Sequence, residues 1–174
     1  MPRGLKDTSS LITIGFSLQE SALNTFTQSR VDLQLNPLDN EVFVVQAINI
    51  NVTRPDGQAG LDSGSSASVT KTQVDPAGGV PTLASSNVLA RLDESITAAG
   101  FVDSGIGFTN ASMETPPTGM DYIGIISTND FHIQVQGFQN TGLKTATGKV
   151  YGYRARATDP SVYAALVQSE LLSA

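Results

Sequence analysis

Cysteine and tryptophan are absent from this 174-residue chain, histidine occurs once, and charged residues make up 15% of it, against a usual share of about a quarter. Without cysteine there is no disulfide, no thiolate nucleophile and no cysteine-type zinc site. With no tryptophan and 6% aromatics, the stacking surfaces that line sugar-binding clefts are hard to build. No run approaches the roughly 18 apolar residues of a membrane-spanning helix, and the N-terminal MPRGLKDTSSLITIG holds no apolar segment of secretory length. Synthesis in the cytoplasm without a cleaved signal is expected, and no membrane contact. Asn51-Val-Thr53 and Asn110-Ala-Ser112 fit the glycosylation pattern, but without a secretory signal both are read as chance. The formal net charge is -6 and the isoelectric point is near 4.5, which argues against a broad basic face for nucleic acid.

The charge is unevenly placed. Residues 31–130 hold three basic and twelve acidic side chains, residues 1–30 three and two, and residues 131–174 four and two. Mildly basic ends therefore flank an acidic middle. Any polyanion-facing surface would draw on Arg3, Lys6, Arg154 and Arg156, with Lys144 and Lys149 nearby in the sequence. The remaining surface must consist of Ser, Thr, Asn, Gln and Gly, which suits a protein packed against copies of itself and equally a polar β-protein of surface type.

The strongest pattern is Glu41 to Thr53, the longest run of strand-forming residues. Its even positions, Val42, Val44, Ile48, Ile50 and Val52 with Gln46 among them, form one apolar face, while the odd face turns polar after Ala47. A central sandwich strand is expected, with one face in the core along its whole length. Leu11 to Leu18 alternates cleanly, with Ile12, Ile14, Phe16 and Leu18 on one side. Residues 25–35 place Val31, Leu33 and Leu35 inward, and the Asn36-Pro-Leu-Asp-Asn40 turn then suggests that residues 25–53 form an antiparallel hairpin. Residues 54–60 read as a turn, the Gly/Ser-rich run 62–68 as a polar loop, 69–74 as a short strand and 75–81 as a flexible connection.

Asn87 to Thr97 fits a helical stripe through Val88, Leu89, Leu92 and Ile96 better than strand alternation, so a short helix or irregular segment is expected. Residues 98–112 read as a bulged strand or loop. Residues 121–127, 131–138 and 143–157, joined by short turns, predict a three-stranded meander. Asp159 as N-cap and Pro160 at the first helical position open a C-terminal helix over 159–174. Its Val162, Tyr163, Leu166, Val167 and Leu171 either dock on the chain's own sandwich or reach a neighbouring copy. The expected architecture is all-β: one antiparallel β-sandwich of seven to nine strands spanning 1–174, with an arm over 1–10 and the terminal helix.

Candidate chemistry is sparse. Asp56 and Asp62 are loop carboxylates of the kind calcium takes, but their spacing lacks the twelve-residue loop with its closing glutamate, and Pro-Asp-Gly is turn chemistry. His132 sits in Phe-His-Ile-Gln-Val-Gln, on an expected polar and exposed sheet face. The pair Asp93-Glu94 offers the carboxylates of a glycosidase without its aromatic cleft. Gly105-Ile-Gly107 lacks the further glycine and lysine of a phosphate loop. No cofactor, no metal and no enzymatic activity are expected.

Leu11 to Leu18, Val31 to Thr53 and Tyr122 to Ala157, behind a short basic arm and with long polar loops between strands, resemble the small viral or phage coat proteins of the single jelly-roll type. The resemblance implies a jelly-roll-like sandwich that builds a capsid shell, resides in the virion after synthesis in the host cytoplasm, and partners copies of itself and other virion proteins. Subunit contacts would then include Val162, Tyr163, Leu166, Val167 and Leu171. Coats that bind genomes directly carry richer arms, and Arg3 and Lys6 neutralise little phosphate, so strong nucleic-acid binding is not expected. The alternative is a β-sandwich ligand-binding or adhesin module presenting its Gly/Ser/Asp-rich loops.

Overall fold

The computed structural model describes residues 2–100, 108–111 and 119–172, of which 108–111 are described by their backbone. Among these residues ten strands form two antiparallel five-stranded sheets, and one helix ends the chain. The strands are β1 (Leu5–Asp7), β2 (Ile12–Gln19), β3 (Thr27–Asp32), β4 (Glu41–Val52), β5 (Ser63–Thr70), β6 (Val88–Thr97), β7 (Phe108–Ala111), β8 (Gly124–Ile126), β9 (Asp130–Phe138) and β10 (Thr145–Ala157), followed by α1 (Pro160–Leu172). The first sheet runs β1-β10-β4-β8, with β2 also on β10, and the second runs β3-β9-β5-β6-β7.

The pairs nest. β2 lies on β10, β3 on β9, β4 on β8 and β5 on β6, so the chain is a long hairpin folded at the β5–β6 connection and rolled into two sheets. This is jelly-roll winding, with β1 and β7 added at edges. It overturns two local expectations. Residues 25–53 are not a hairpin, because β3 and β4 lie in different sheets, and 121–157 are not a meander, because β9 leaves the sheet that holds β8 and β10. The turn residues mark where the chain reverses correctly, but each reversal crosses between sheets.

β4 and β10 pair from Ala146↔Val52 to Arg156↔Glu41, with one irregularity. Tyr151 faces Ala47 and Gly152 faces Val45, which leaves Gln46 as the extra residue of a bulge. The parity of β4 changes there. Phe43 and Val45 before the bulge, and Ile48 and Ile50 after it, share the core between the sheets, and Val52 continues it beside Ala67, Val135 and Ala146. The even residues Val42 and Val44 face the other way, into a second core with Leu5, Ala155, Val162, Tyr163 and Leu166. The expected unbroken apolar even face is therefore two half-faces, one covered by the opposite sheet and one by α1.

β5 and β6 correct two further expectations. The Ser/Gly run 62–68 is most of a strand between β9 and β6, where small side chains suit a crowded position. Ser65 and Ser68 are fully buried, and they donate to the Thr53 carbonyl at 2.8 Å and to Gln134 Oε1 at 2.7 Å. The stripe at 88–97 is not a helix, because this segment pairs with β5 along its length and places Ala90 and Leu92 against the core. Tertiary pairing overrides a weak local preference.

Helix α1 starts as expected, with Asp159 Oδ1 accepting from the Ser161 N–H at 2.9 Å. Its far end is fixed by Glu170, 2% exposed, whose carboxylate accepts from the Ser127 and Thr128 N–H groups at 2.7 and 3.2 Å, from the Thr128 hydroxyl at 3.0 Å and from the Ser127 hydroxyl.

Two glycines make the β4–β10 contact close. A Cβ on Gly148 would strike the Asn49 carbonyl and the Phe16 ring at 2.5 Å, and one on Gly152 would strike the Val44 carbonyl and the Phe43 ring at 2.6 Å. Backbone oxygens cannot withdraw without opening the register. Gly152→Ala is therefore expected to lower stability by about 1–3 kcal/mol in denaturant unfolding, whereas Gly57→Ala, with nothing within 4 Å, leaves the midpoint nearly unchanged. An unchanged midpoint for Gly152→Ala would contradict the packing.

Candidate functional site

Three connections meet at one end of the sandwich: residues 20–26 after β2, 53–62 after β4 and 139–144 before β10. They are joined by a network of buried polar groups. Glu20, 3% exposed, accepts from the Gly137 N–H at 2.6 Å and the Lys144 N–H at 2.8 Å. The Asn24 side chain pairs with the Asn140 backbone in both directions, at 2.9 and 3.0 Å. The Asn140 side chain accepts from the Asp56 N–H at 2.9 Å and donates to the Gly64 carbonyl at 2.8 Å. Gly137 lies beneath, where a Cβ would come within 2.7 Å of the Asn140 amide.

Asp56 is the hub. One carboxylate oxygen accepts from the Thr141 and Gly142 N–H groups at 2.9 and 2.8 Å and from the Thr141 hydroxyl at 3.1 Å. The other meets the Lys144 ammonium at 2.8 Å, which also donates to the Arg54 carbonyl at 2.9 Å. The Lys144 side chain is 2% exposed, and a buried ammonium persists only when paired and hydrogen-bonded. The Lys144 hydrogen bond, followed by that from Gly142, pulls the Asp56 carboxyl down to about 2, against a smaller opposing effect of burial.

Two facts define the surface above this network. All three connections carry exposed apolar side chains: Leu23, Leu61 and Leu143 are between 42% and 46% exposed, and Phe138, at the end of β9, is 59% exposed. Charge is nearly silent. Glu20, Asp56 and Lys144 are engaged as described, and Asp62 accepts from the Ala98 and Ala99 N–H groups, both at 2.8 Å. Arg54, its side chain 90% exposed and 4.0 Å from Glu94, is the one remaining charged residue of these segments.

Asp56 and Asp62, considered in the sequence as loop carboxylates for calcium and set aside, both accept hydrogen bonds from the chain's own donors. Among the described residues no three His, Cys, Asp or Glu side chains come together as a metal site. Glu20, Asn24, Asn140 and Lys144 were not singled out for this network, and the Asn-Thr-Gly turn at 140–142 was the one local hint.

The basic candidates divide. Lys6 and Arg156 are cross-strand neighbours, but Arg156 lies 3.2 Å from Asp39 and faces Glu41 on its other side. Arg154 turns inward to the Leu33 carbonyl at 3.2 Å. Lys144 lies at the far end of β10, while Arg3 and Lys149 are exposed. In α1, Val162, Tyr163 and Leu166 pack on the chain's own sheet, Val167 is half-buried, and Leu171 is exposed.

Asp93 and Glu94, as neighbours on β6, point to opposite faces; Asp93 holds Arg91 at 2.7 Å. His132 is not exposed as expected. It lies on the polar outer face of β9 but is 9% exposed, because the 71–87 connection folds over this face, fastened by Gln28 to Val74 and by Arg91 to the Val80 and Pro81 carbonyls. Burial and the nearby Arg30 hold His132 below its ordinary pKa, with Asp130 opposing. Gly105 and Gly107 lie outside the described residues. No helix among the described residues is long and apolar enough to cross a membrane.

No protein-family model matches the chain, and no curated protein matches it.

The Asp56 hub sets a pH dependence. Its carboxyl is depressed from 3.8 to about 2, so its contribution is full above the unfolded value and is lost as pH falls from about 4 towards 2. Asp56→Asn is expected to be less stable than the parent at pH 6, with the gap in melting temperature closing towards pH 2. A gap that stays constant over this range would contradict the hub's role.

Proposed function

We propose that the chain is a structural subunit whose copies assemble into a closed shell, as the coat protein of a virus or phage does, with the virion as its place, and copies of itself and other virion proteins as its partners. The observation that carries this reading is the loop end: four exposed apolar side chains held on connections that a buried polar network makes rigid, with almost no exposed charge. A rigid, uncharged, apolar-rimmed surface binds protein at low ordering cost. Jelly-roll winding is compatible with this role but does not select it, since the same architecture hosts capsid, lectin and cupin domains. A ligand-binding module presenting its loops is the second reading, because the same rigid end would serve it. The Ser/Gly run on which an adhesive loop would rest is instead strand β5.

Size-exclusion chromatography with light scattering over rising concentration separates the two. The structural reading expects a multimer whose formation shifts to roughly tenfold higher concentration in Leu23→Ser/Phe138→Ser, which removes exposed apolar area without touching the core. A stable monomer at high concentration would contradict it and favour the binding module.

A further inference from the structure

Most sheet edges in this fold are short or charged. β8 has three residues and β7 four, β1 is Leu-Lys-Asp, and β3 carries Arg30 and Asp32 with Arg30 3.5 Å from Asp130. β2 differs. Its eight residues, Ile-Thr-Ile-Gly-Phe-Ser-Leu-Gln, contain no charge and no proline, and its ladder to β10 runs from Thr145↔Gln19 to Gly152↔Ile12 without a bulge. Among the described residues it pairs with β10 alone, so its outward backbone groups form an open template. Its inward Ile12, Ile14 and Leu18 stay only half-buried, because the sheet ends there.

We propose that β2 is a strand-addition site for a second copy of this chain, with two β2 strands pairing antiparallel about a two-fold axis at Gly15. The proposal rests on the self-association reading above and names a surface separate from the loop end. An isologous contact must be self-complementary, and this register is. Ile12 faces Leu18, Ile14 faces Phe16 and Thr13 faces Ser17 across the axis, so apolar meets apolar on the core side and hydroxyl meets hydroxyl outside. A register centred on Phe16 would instead set Ile12 against Glu20, whose carboxylate is committed to Gly137 and Lys144. An uncharged edge also brings no like charges together. The pairing would join the first sheets of two protomers and cover the half-buried Ile12, Ile14 and Leu18.

Gly15→Cys tests the axis directly. A Cβ there meets nothing closer than the Gly148 carbonyl at 4.0 Å, and the chain has no other cysteine. Under mild oxidation a disulfide-linked dimer is expected as the main species, reversed by reductant. On the Cys-free chain, Thr13→Lys/Ser17→Lys sets like charges opposite each other and is expected to raise the dissociation constant about tenfold, whereas Thr13→Lys/Ser17→Glu sets opposite charges in register and keeps assembly near the parent level. Multimers that persist with no crosslink at Gly15→Cys and no effect of the double lysine would overturn the edge pairing while leaving the self-association reading in place. A monomer at every concentration would overturn both.

Discussion

Where Tyr151 and Gly152 of β10 are consecutive, their partners on β4 are Ala47 and Val45, and Gln46 is left between them. That single extra residue reverses the parity of a twelve-residue strand. Ahead of it, Val42 and Val44 turn towards α1 while Phe43 and Val45 turn towards the second sheet. Beyond it, Ile48, Ile50 and Val52 take over the inter-sheet side, and Ala47, Asn49 and Asn51 face solvent. One strand thus supplies the central wall of the sandwich and the floor on which the helix docks. Each fully buried aliphatic or aromatic side chain contributes about 1.5–3 kcal/mol, so a strand in the wrong parity would forfeit much of both cores.

The contact between β4 and β10 also fixes the ends of the molecule. β4 leads directly into the 53–62 connection and β10 follows directly from 139–144, so the Asp56–Lys144 pair sits where these two strands begin to diverge. The Phe16 ring, placed over Gly148, meets Phe131 edge-on at a centroid distance of 6.2 Å, which couples β2 to the second sheet through the same narrow gap. At the opposite end, the Thr158 N–H donates to the Gly4 carbonyl at 2.9 Å, and Glu170 closes α1 onto the turn after β8. The buried polar groups of the loop end are satisfied within the chain, and Leu23, Leu61, Phe138 and Leu143 are among the side chains on its outer surface.

Features with a local cause were legible in the sequence. Alternation marked β2 and β4, the Asn-Pro and Asp-Pro pairs marked a turn and a helix start, and the two-sheet β character followed from the number of such runs. What failed needed information that no window contains. Turn residues at 36–40 and 128–130 announce a reversal but not which sheet receives the next strand, so a hairpin and a meander were read where the chain crosses the sandwich. Ser63 to Ser68 resembles a loop because small polar side chains are common in loops, yet they also fit a crowded central strand. Val88 to Thr97 carries both periodicities, and β5 decides between them. The bulge at Gln46 was invisible because the even residues on either side of it are equally apolar. In the loop-end network only Asp56 stood out, and it was weighed for a cation rather than for Lys144, which lies far from it along the chain.

The claim that carries most weight is that Gln46 exists as an offset, allowing one strand to line two cores. Deleting Gln46 and following denaturant unfolding tests it most directly. Val45 and Ala47 pair with Gly152 and Tyr151 and lie on opposite faces, so removing the residue between them joins them in regular alternation. This keeps Phe43 and Val45 towards the second sheet and Val42 and Val44 towards α1, and the deletion should retain a cooperative transition. Were Gln46 an ordinary member of the ladder, its deletion would turn residues 41–45 to the other face, so a Gln46 deletion that no longer unfolds cooperatively would contradict the claim.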